Sequence, residues 1–135
     1  MENIDITSLI NAVNSLKEVV VLYKQNYSDA IIRDSLIQRF EYTYSLSLKM
    51  IKRFFKVSAF VLEDIESMTF NATIRQANKM KLLKSDLEKW DVFRQKRNMT
   101  AHTYDETVAK DVANIACEFL EEAEYLVKSL KEKIQ

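Results

Sequence analysis

An all-α fold is predicted here, an antiparallel up-and-down helical bundle of about five helices, three long and two short, on the strength of two observations. The chain of 135 residues contains no glycine and no proline, where average usage of about 7% and about 5% would place several of each. Hairpin turns and sheet bulges draw on glycine, and sharp loops on proline, so a chain with neither is poorly equipped for β architecture. The second observation is that apolar residues recur at helical spacing through most of the chain. The length predicts a single domain over 1–135, large enough to bury roughly two-thirds of its unfolded surface.

Asp5 or Thr7 can cap a first helix, which carries Ile6, Leu9, Ile10, Val13, Leu16 and Val20 on one face through about Lys24. The polar run Gln25-Asn26-Tyr27-Ser28 ends it. Ser28 or Asp29 caps a second helix to about Ser58, with Leu36, Phe40, Tyr44, Ser47/Leu48, Ile51 and Phe55 as its stripe. Its thirty or so residues span roughly 45 Å, the length of one rod in an elongated bundle. The stretch Leu62 to Ser67 has acids and no base and reads as a loop. Thr69 caps a third helix, Phe70 to Leu83. Ser85 with Glu88 forms a capping box for a fourth, Asp86 to Met99, with Trp90, Phe93 and Leu87 turned inward. Asp105 caps a fifth helix to about Ile134, whose stripe is Val108, Val112, Ile115/Ala116, Phe119, Ala123, Leu126/Val127 and Leu130. Without glycine to end helices, Asn26 or Asn78 is the expected left-handed residue.

The same composition excludes function classes. No glycine means no phosphate-cradling loop and no dinucleotide fingerprint. A single cysteine, Cys117, excludes an internal disulfide, and with a single histidine it excludes a Cys/His zinc site within one chain. No metal and no cofactor are expected, and Cys117 reads as a buried, inert thiol. The glutamates Glu118, Glu121, Glu122 and Glu124 read as a solvated helix face in preference to a metal site. The start of the chain lacks the features of a signal peptide, and Val19-Val20-Val21-Leu22 is too short to span a bilayer, so a cytoplasmic protein without membrane contact is expected. Formal net charge is zero, which leaves no global field to attract nucleic acid. The distribution is uneven. Residues 75–97 hold eight basic side chains against three acidic ones, and residues 105–135 hold eight acidic against four basic. Arg94 and Lys96 in the basic run are candidate substrate-binding residues. The aromatics of the second helix, interleaved with Arg39, Lys49, Lys52 and Arg53, read as core and dimer interface in preference to a base-stacking surface.

The basic run leads into Arg97-Asn98-Met99-Thr100-Ala101-His102-Thr103-Tyr104, which contains the only histidine and no acid. Arg97 falls in the last turn of the fourth helix and His102 in the connection before the Asp105 cap. A guanidinium that forks onto phosphate oxygens and an imidazole that titrates near neutrality are a minimal kit for cutting RNA without metal. The imidazole would take the 2′-hydroxyl proton, the ribose oxygen would attack phosphorus, and Arg97 would stabilise the developing charge. DNA lacks that hydroxyl and would resist. A base and an acid are both needed, and a two-fold dimer would supply the second histidine. Spacing alone also allows a plain reading, in which His102 is a turn residue, Arg97 neutralises a helix C-terminus and Tyr104 packs on the bundle.

These residues carry a family resemblance. Arg97-Asn98-x3-His102 resembles the R-x4-6-H motif of HEPN domains, and with Tyr104 it resembles the R-x4-H-x-Y signature of HepT proteins. Ile37-Gln38-Arg39-Phe40-Glu41-Tyr42-Thr43-Tyr44, with Leu46 and Lys49, resembles the IQRFEFTFELAWK stretch of nucleotidyltransferase substrate-binding proteins in that group. It departs at Ser45, where that family has Glu, and at Leu48, where it has Trp. Thr73 to Ala77 and Trp90 also match, with Asn78 or Lys79 where a glycine is usual. The resemblance implies a homodimer formed through the long helices, and a toxin–antitoxin pair. The ribonuclease would be neutralised by a cognate minimal nucleotidyltransferase that adds AMP to the motif tyrosine. Carried over by position, Arg97 and His102 are catalytic, Asn98 supports them and Tyr104 accepts AMP. The alternative is a non-catalytic nucleotide- or substrate-binding subunit of a two-component nucleotidyltransferase. Glu41 is expected to pair with Arg39 or Lys49, or to line the interface.

Overall fold

The structure is a computed structural model that describes residues 4–58 and 64–134. Five α-helices follow one another: α1 (Thr7–Gln25), α2 (Ala30–Val57), α3 (Phe70–Lys79), α4 (Leu87–Asn98) and α5 (Glu106–Lys133), with 3-10 turns at Ile65–Ser67 and Thr100–His102. No strand occurs among the described residues. The first of these turns stands in the stretch expected to be a loop, pinned by Asp64, whose carboxylate accepts from Glu66 N at 3.2 Å. Leu62 and Glu63 of that stretch lie outside the described residues.

Helix starts follow the side-chain chemistry. Asp29 Oδ1 accepts from Ile31 N and Ile32 N at 2.9 and 3.1 Å, Thr69 Oγ1 from Ala72 N at 3.1 Å, and Asp105 Oδ1 from Thr107 N and Val108 N at 2.9 and 3.3 Å. Each satisfies amides that the helix leaves open, a contribution of about 1 kcal/mol. The fourth start departs from expectation. Asp86, not Ser85, is the cap, accepting from Lys89 N. Ser85 is committed elsewhere, because its amide is bound by Glu122.

The end of the third helix also differs. α3 stops at Lys79, not Leu83, and closes with Leu82 N bonded to Ala77 O and Lys81 N to Asn78 O, both at 3.0 Å. That is a Schellman closure, and it requires a left-handed residue between the helix and Leu82. Lys81, at φ 60°, is that residue; neither asparagine is. Asn26 and Asn78 instead donate from their side-chain amides to the carbonyls of Leu22 and Ile74. Leu82 and Leu83 stay buried beyond the helix end, so burial continues where the helix does not.

The chain reverses direction between α1 and α2 and again between α4 and α5. Thr43 and Arg39 of α2 reach back to the Ala12 and Ser15 carbonyls of α1, and Tyr42 Oη lies 2.7 Å from Ser15 Oγ, which sets α1 against α2 head to tail. Lys84 and Lys89 pair with Glu121 and Glu118, which sets α4 against α5. The core runs the length of the bundle. At its centre Phe119 stands 5.0 Å from Phe93, 5.4 Å from Phe40 and 5.6 Å from Trp90, ring centre to ring centre. These are edge-to-face pairs that add to the area they bury. Trp90 and Phe93 carry the first two turns of α4 onto this aromatic nest.

Glu118, Glu121 and Glu124 of α5 are exposed, as a solvated face requires, and Glu122 alone departs from it. Glu118 and Glu121 are paired with lysines, and Glu122 is only 2% exposed. Its Oε2 accepts from Lys84 N at 2.8 Å and Ser85 N at 3.3 Å, tying the α3–α4 connection to α5. Cys117 is half-buried, and burial pushes its thiol pKa up, which disfavours the reactive thiolate. No helix among the described residues is long and apolar enough to cross a membrane.

Candidate functional site

The α4–α5 connection is a sequence of tight local turns. Met99 N closes α4 on Lys96 O, His102 N bonds Met99 O at 3.0 Å, and Asp105 N bonds His102 O at 3.2 Å. The Thr103 hydroxyl donates to Thr100 O at 3.1 Å. The backbone satisfies itself, so the side chains are left for other work.

Arg97 sits in the last helical turn, half-exposed, with Nη1 3.4 Å from Glu41 Oε2. The Thr100 hydroxyl lies 2.6 Å from the same Glu41 oxygen and 3.0 Å from Arg97 O. Glu41 therefore joins the site from α2, and its partner is Arg97, not Arg39 or Lys49. Arg39 turns to α1, donating to Ser15 O at 2.8 Å with Glu18 3.8 Å away. One carboxylate oxygen thus gathers a guanidinium and a hydroxyl, fixing the end of α4 against the 3-10 turn that follows. Since both charges are partly solvated, the pair contributes more to geometry than to stability.

His102 is exposed and makes no side-chain hydrogen bond within the described residues; its ring meets that of Tyr104 edge-on at 6.2 Å. Tyr104 is 87% exposed, far beyond what a packing residue shows, so the plain reading of that tyrosine does not hold. Asn98 ends α4 exposed, and among the described residues its side chain makes no hydrogen bond, to Arg97 and His102 included. Lys96 is half-buried and Arg94 lies with its guanidinium 4.8 Å over the Phe70 ring. Tyr44 lies behind these arginines. Burial pushes its phenol up to about 12, against the pull of Arg94 and Arg97, with Asp91 adding to the rise.

Beside Arg97 a cleft of ≈330 Å³ opens between α2 and the connection, with Asp34, Gln38 and Glu41 on one wall and Thr100, Thr103 and Tyr104 on the other. Sequence reasoning assigned no role at the site to Glu41 or Thr100. The only signal was Thr100's position inside the motif, since nothing in the spacing links residue 41 to residue 100. Among the described residues no group of three or more His, Cys, Asp or Glu side chains is placed to share a metal ion.

Comparison with known proteins bears on this geometry. The family described as nucleotidyltransferase substrate binding protein like matches residues 4–132. The chain belongs to that family. Among its relatives in the curated proteins is a probable ribonuclease HepT from Haemophilus influenzae, 34% identical, across 99% of this chain and 97% of that protein. A solved structure from Haemophilus influenzae, described as the fold of a substrate binding domain of a nucleotidyltransferase, superposes with a TM-score of 0.85 at 33% identity. It covers 94% of this chain and 99% of its own. The all-helical architecture and the HepT-type resemblance thus hold for this member of the nucleotidyltransferase substrate-binding family.

Proposed function

We propose that this chain is a HepT-type ribonuclease, the toxin of a toxin–antitoxin pair, working as a homodimer without metal and neutralised by a cognate minimal nucleotidyltransferase. The observation that carries the reading is that His102 and Tyr104 stand exposed on the turn that follows the half-exposed Arg97, with Tyr104 on the wall of an open cleft. A buried imidazole would have ended it.

In this mechanism the neutral His102 imidazole takes the proton of a ribose 2′-hydroxyl. The 2′-oxygen forms a bond to the adjacent phosphorus, and the bond from phosphorus to the 5′-oxygen breaks. The protonated His102 of a second copy gives its proton to that leaving oxygen. The products are a 2′,3′-cyclic phosphate and a 5′-hydroxyl. Arg97 donates to the phosphoryl oxygens as charge builds on them. Glu41 is a positioning residue here: holding Nη1, it fixes the planar fork at the end of α4 and leaves its other donors for phosphate. Tyr104 is the acceptor of AMP, and its exposure supports that role. Each added phosphodiester brings negative charge beside Arg97 and repels an RNA backbone.

The test is cleavage of RNA by the purified protein with a chelator present, alongside Arg97→Ala and His102→Ala. Equal activity in wild type and both variants removes these residues as catalysts. Intact mass after incubation with the nucleotidyltransferase and ATP tests the acceptor, with the gain expected to vanish in Tyr104→Phe. A second reading, a non-catalytic substrate- or nucleotide-binding subunit, is favoured by the descriptions of the family and of the solved relative. It predicts a stable complex with the nucleotidyltransferase and no ribonuclease activity.

A further inference from the structure

The face that α2 turns to the site changes character along its length. On one side of Glu41 stand Asp34 and Gln38, in the cleft already described. On the other, Lys49 and Lys52, one turn apart, line a second hollow of ≈220 Å³ with Leu48, Phe70 and Thr73. Phe70 opens α3, and its ring holds the Arg94 guanidinium. A cation stacked on a ring is kept in place without losing its charge. Arg94 lies one turn before Arg97 on α4, and both guanidiniums act on the Tyr44 hydroxyl. Among the described residues Lys49, Lys52 and Arg94 have no carboxylate within salt-bridge distance, whereas Lys56, Lys84, Lys89 and Lys110 each have one. The acids that bear on this side are few. Glu41 holds Arg97, Asp91 acts on Tyr44, and Glu66 is paired with Lys56, with Lys52 acting on it from further off.

A floor of Leu48 and Phe70 with cations at its rim is the chemistry that single-stranded RNA binds: an apolar surface under a base, and positive charge along the phosphates. We infer that the hollow lined by Lys49 and Lys52, with Arg94 stacked on the Phe70 of its wall, is a substrate subsite. It seats a nucleobase against Phe70 and Leu48 and the neighbouring phosphates on the three cations. The RNA therefore leaves the Arg97 site toward the C-terminal half of α2, away from Asp34. From Glu41 to Lys52 the helix advances about 17 Å, room for a few nucleotides. The subsite deepens the ribonuclease reading and rests on it for its purpose, though its occupancy can be measured without cleavage.

The experiment is binding of a labelled, uncleavable 2′-O-methyl oligouridylate of about eight nucleotides, within the usual range of single-strand site sizes, over a range of salt concentrations. Lys49→Ala/Lys52→Ala is expected to weaken binding about tenfold at low salt. It should also flatten the dependence of log Kd on log salt by about 1.4, at about 0.7 for each phosphate no longer neutralised. Lys128→Ala/Lys131→Ala removes the same charge from the groove between α1 and α5 and is expected to leave the slope as it was. Circular dichroism checks that both variants keep their helices. Equal slopes in the two double variants, or no binding by the wild type, overturn the subsite. Cleavage of the unmodified strand is scored separately. A wild type that binds in this way but never cuts removes the ribonuclease reading and leaves the subsite. A wild type that cuts, with a slope untouched by Lys49→Ala/Lys52→Ala, does the reverse.

Discussion

Two connections flank α4, and they solve the same problem in opposite ways. Each must reverse the chain without glycine. The α3–α4 connection is held from outside itself: Lys81 takes the left-handed turn, Leu82 and Leu83 sink into the core, and a buried Glu122 from α5 binds two backbone amides. The α4–α5 connection is held by its own short turns, by the packing of Met99 on the core and by a contact from Thr100 to Glu41, and it turns a histidine and a tyrosine outward. A loop whose side chains are spent on anchoring has none left for chemistry. The second loop keeps its backbone bonds local and so leaves its side chains free.

The contrast predicts that changes in one connection cost activity and changes in the other cost stability. The largest effect is expected for His102→Ala, a loss of about a thousandfold in RNA cleavage, the usual scale for removing a general base. Its melting temperature should stay where it was, since the ring is exposed and makes no side-chain hydrogen bond among the described residues. A matching fall in melting temperature would break the comparison. Next comes Glu122→Ala, which strips two buried amides of a charged acceptor and is expected to cost about 3 kcal/mol. That corresponds to roughly 10 °C in thermal unfolding, with cleavage per folded molecule retained. Glu41→Gln should lower cleavage by about tenfold through loss of a positioned guanidinium. The effect should fall on kcat more than on KM, because the arginine itself remains; an unchanged kcat would reduce Glu41 to a structural contact. The smallest effect is a gain: Lys81→Gly removes a left-handed strain of about 1 kcal/mol and should raise the melting temperature by a few degrees.

The sequence makes the same division visible in what it reveals. Caps at Asp29, Thr69 and Asp105 were legible because a cap is a local matter between a side chain and amides two or three residues on. The end of α3 was not. Leu82 and Leu83 continue the apolar period, and periodicity reports which residues are buried, not where the backbone reverses. Ser85 with Glu88 satisfied the pattern of a capping box, yet the Ser85 amide is claimed by a residue of α5 that no local pattern could indicate. Glu122 looked solvated because its neighbours in sequence are acidic, while its neighbours in space are amides. The site divides likewise. Arg97, His102 and Tyr104 were legible as a motif on one turn, but Glu41 reaches that turn only through the packing of α2 against α4.

The nest of rings around Phe119 has a practical consequence. Trp90 is the only tryptophan, it is fully buried, and its indole nitrogen finds no hydrogen-bond partner among the described residues. Its fluorescence is therefore a single optical probe in a buried setting, with Tyr44 6.1 Å away and the charges of Arg94 and Arg97 acting on that tyrosine. An anion arriving at those guanidiniums alters the electric field the indole feels, so the untouched protein carries its own gauge of occupancy.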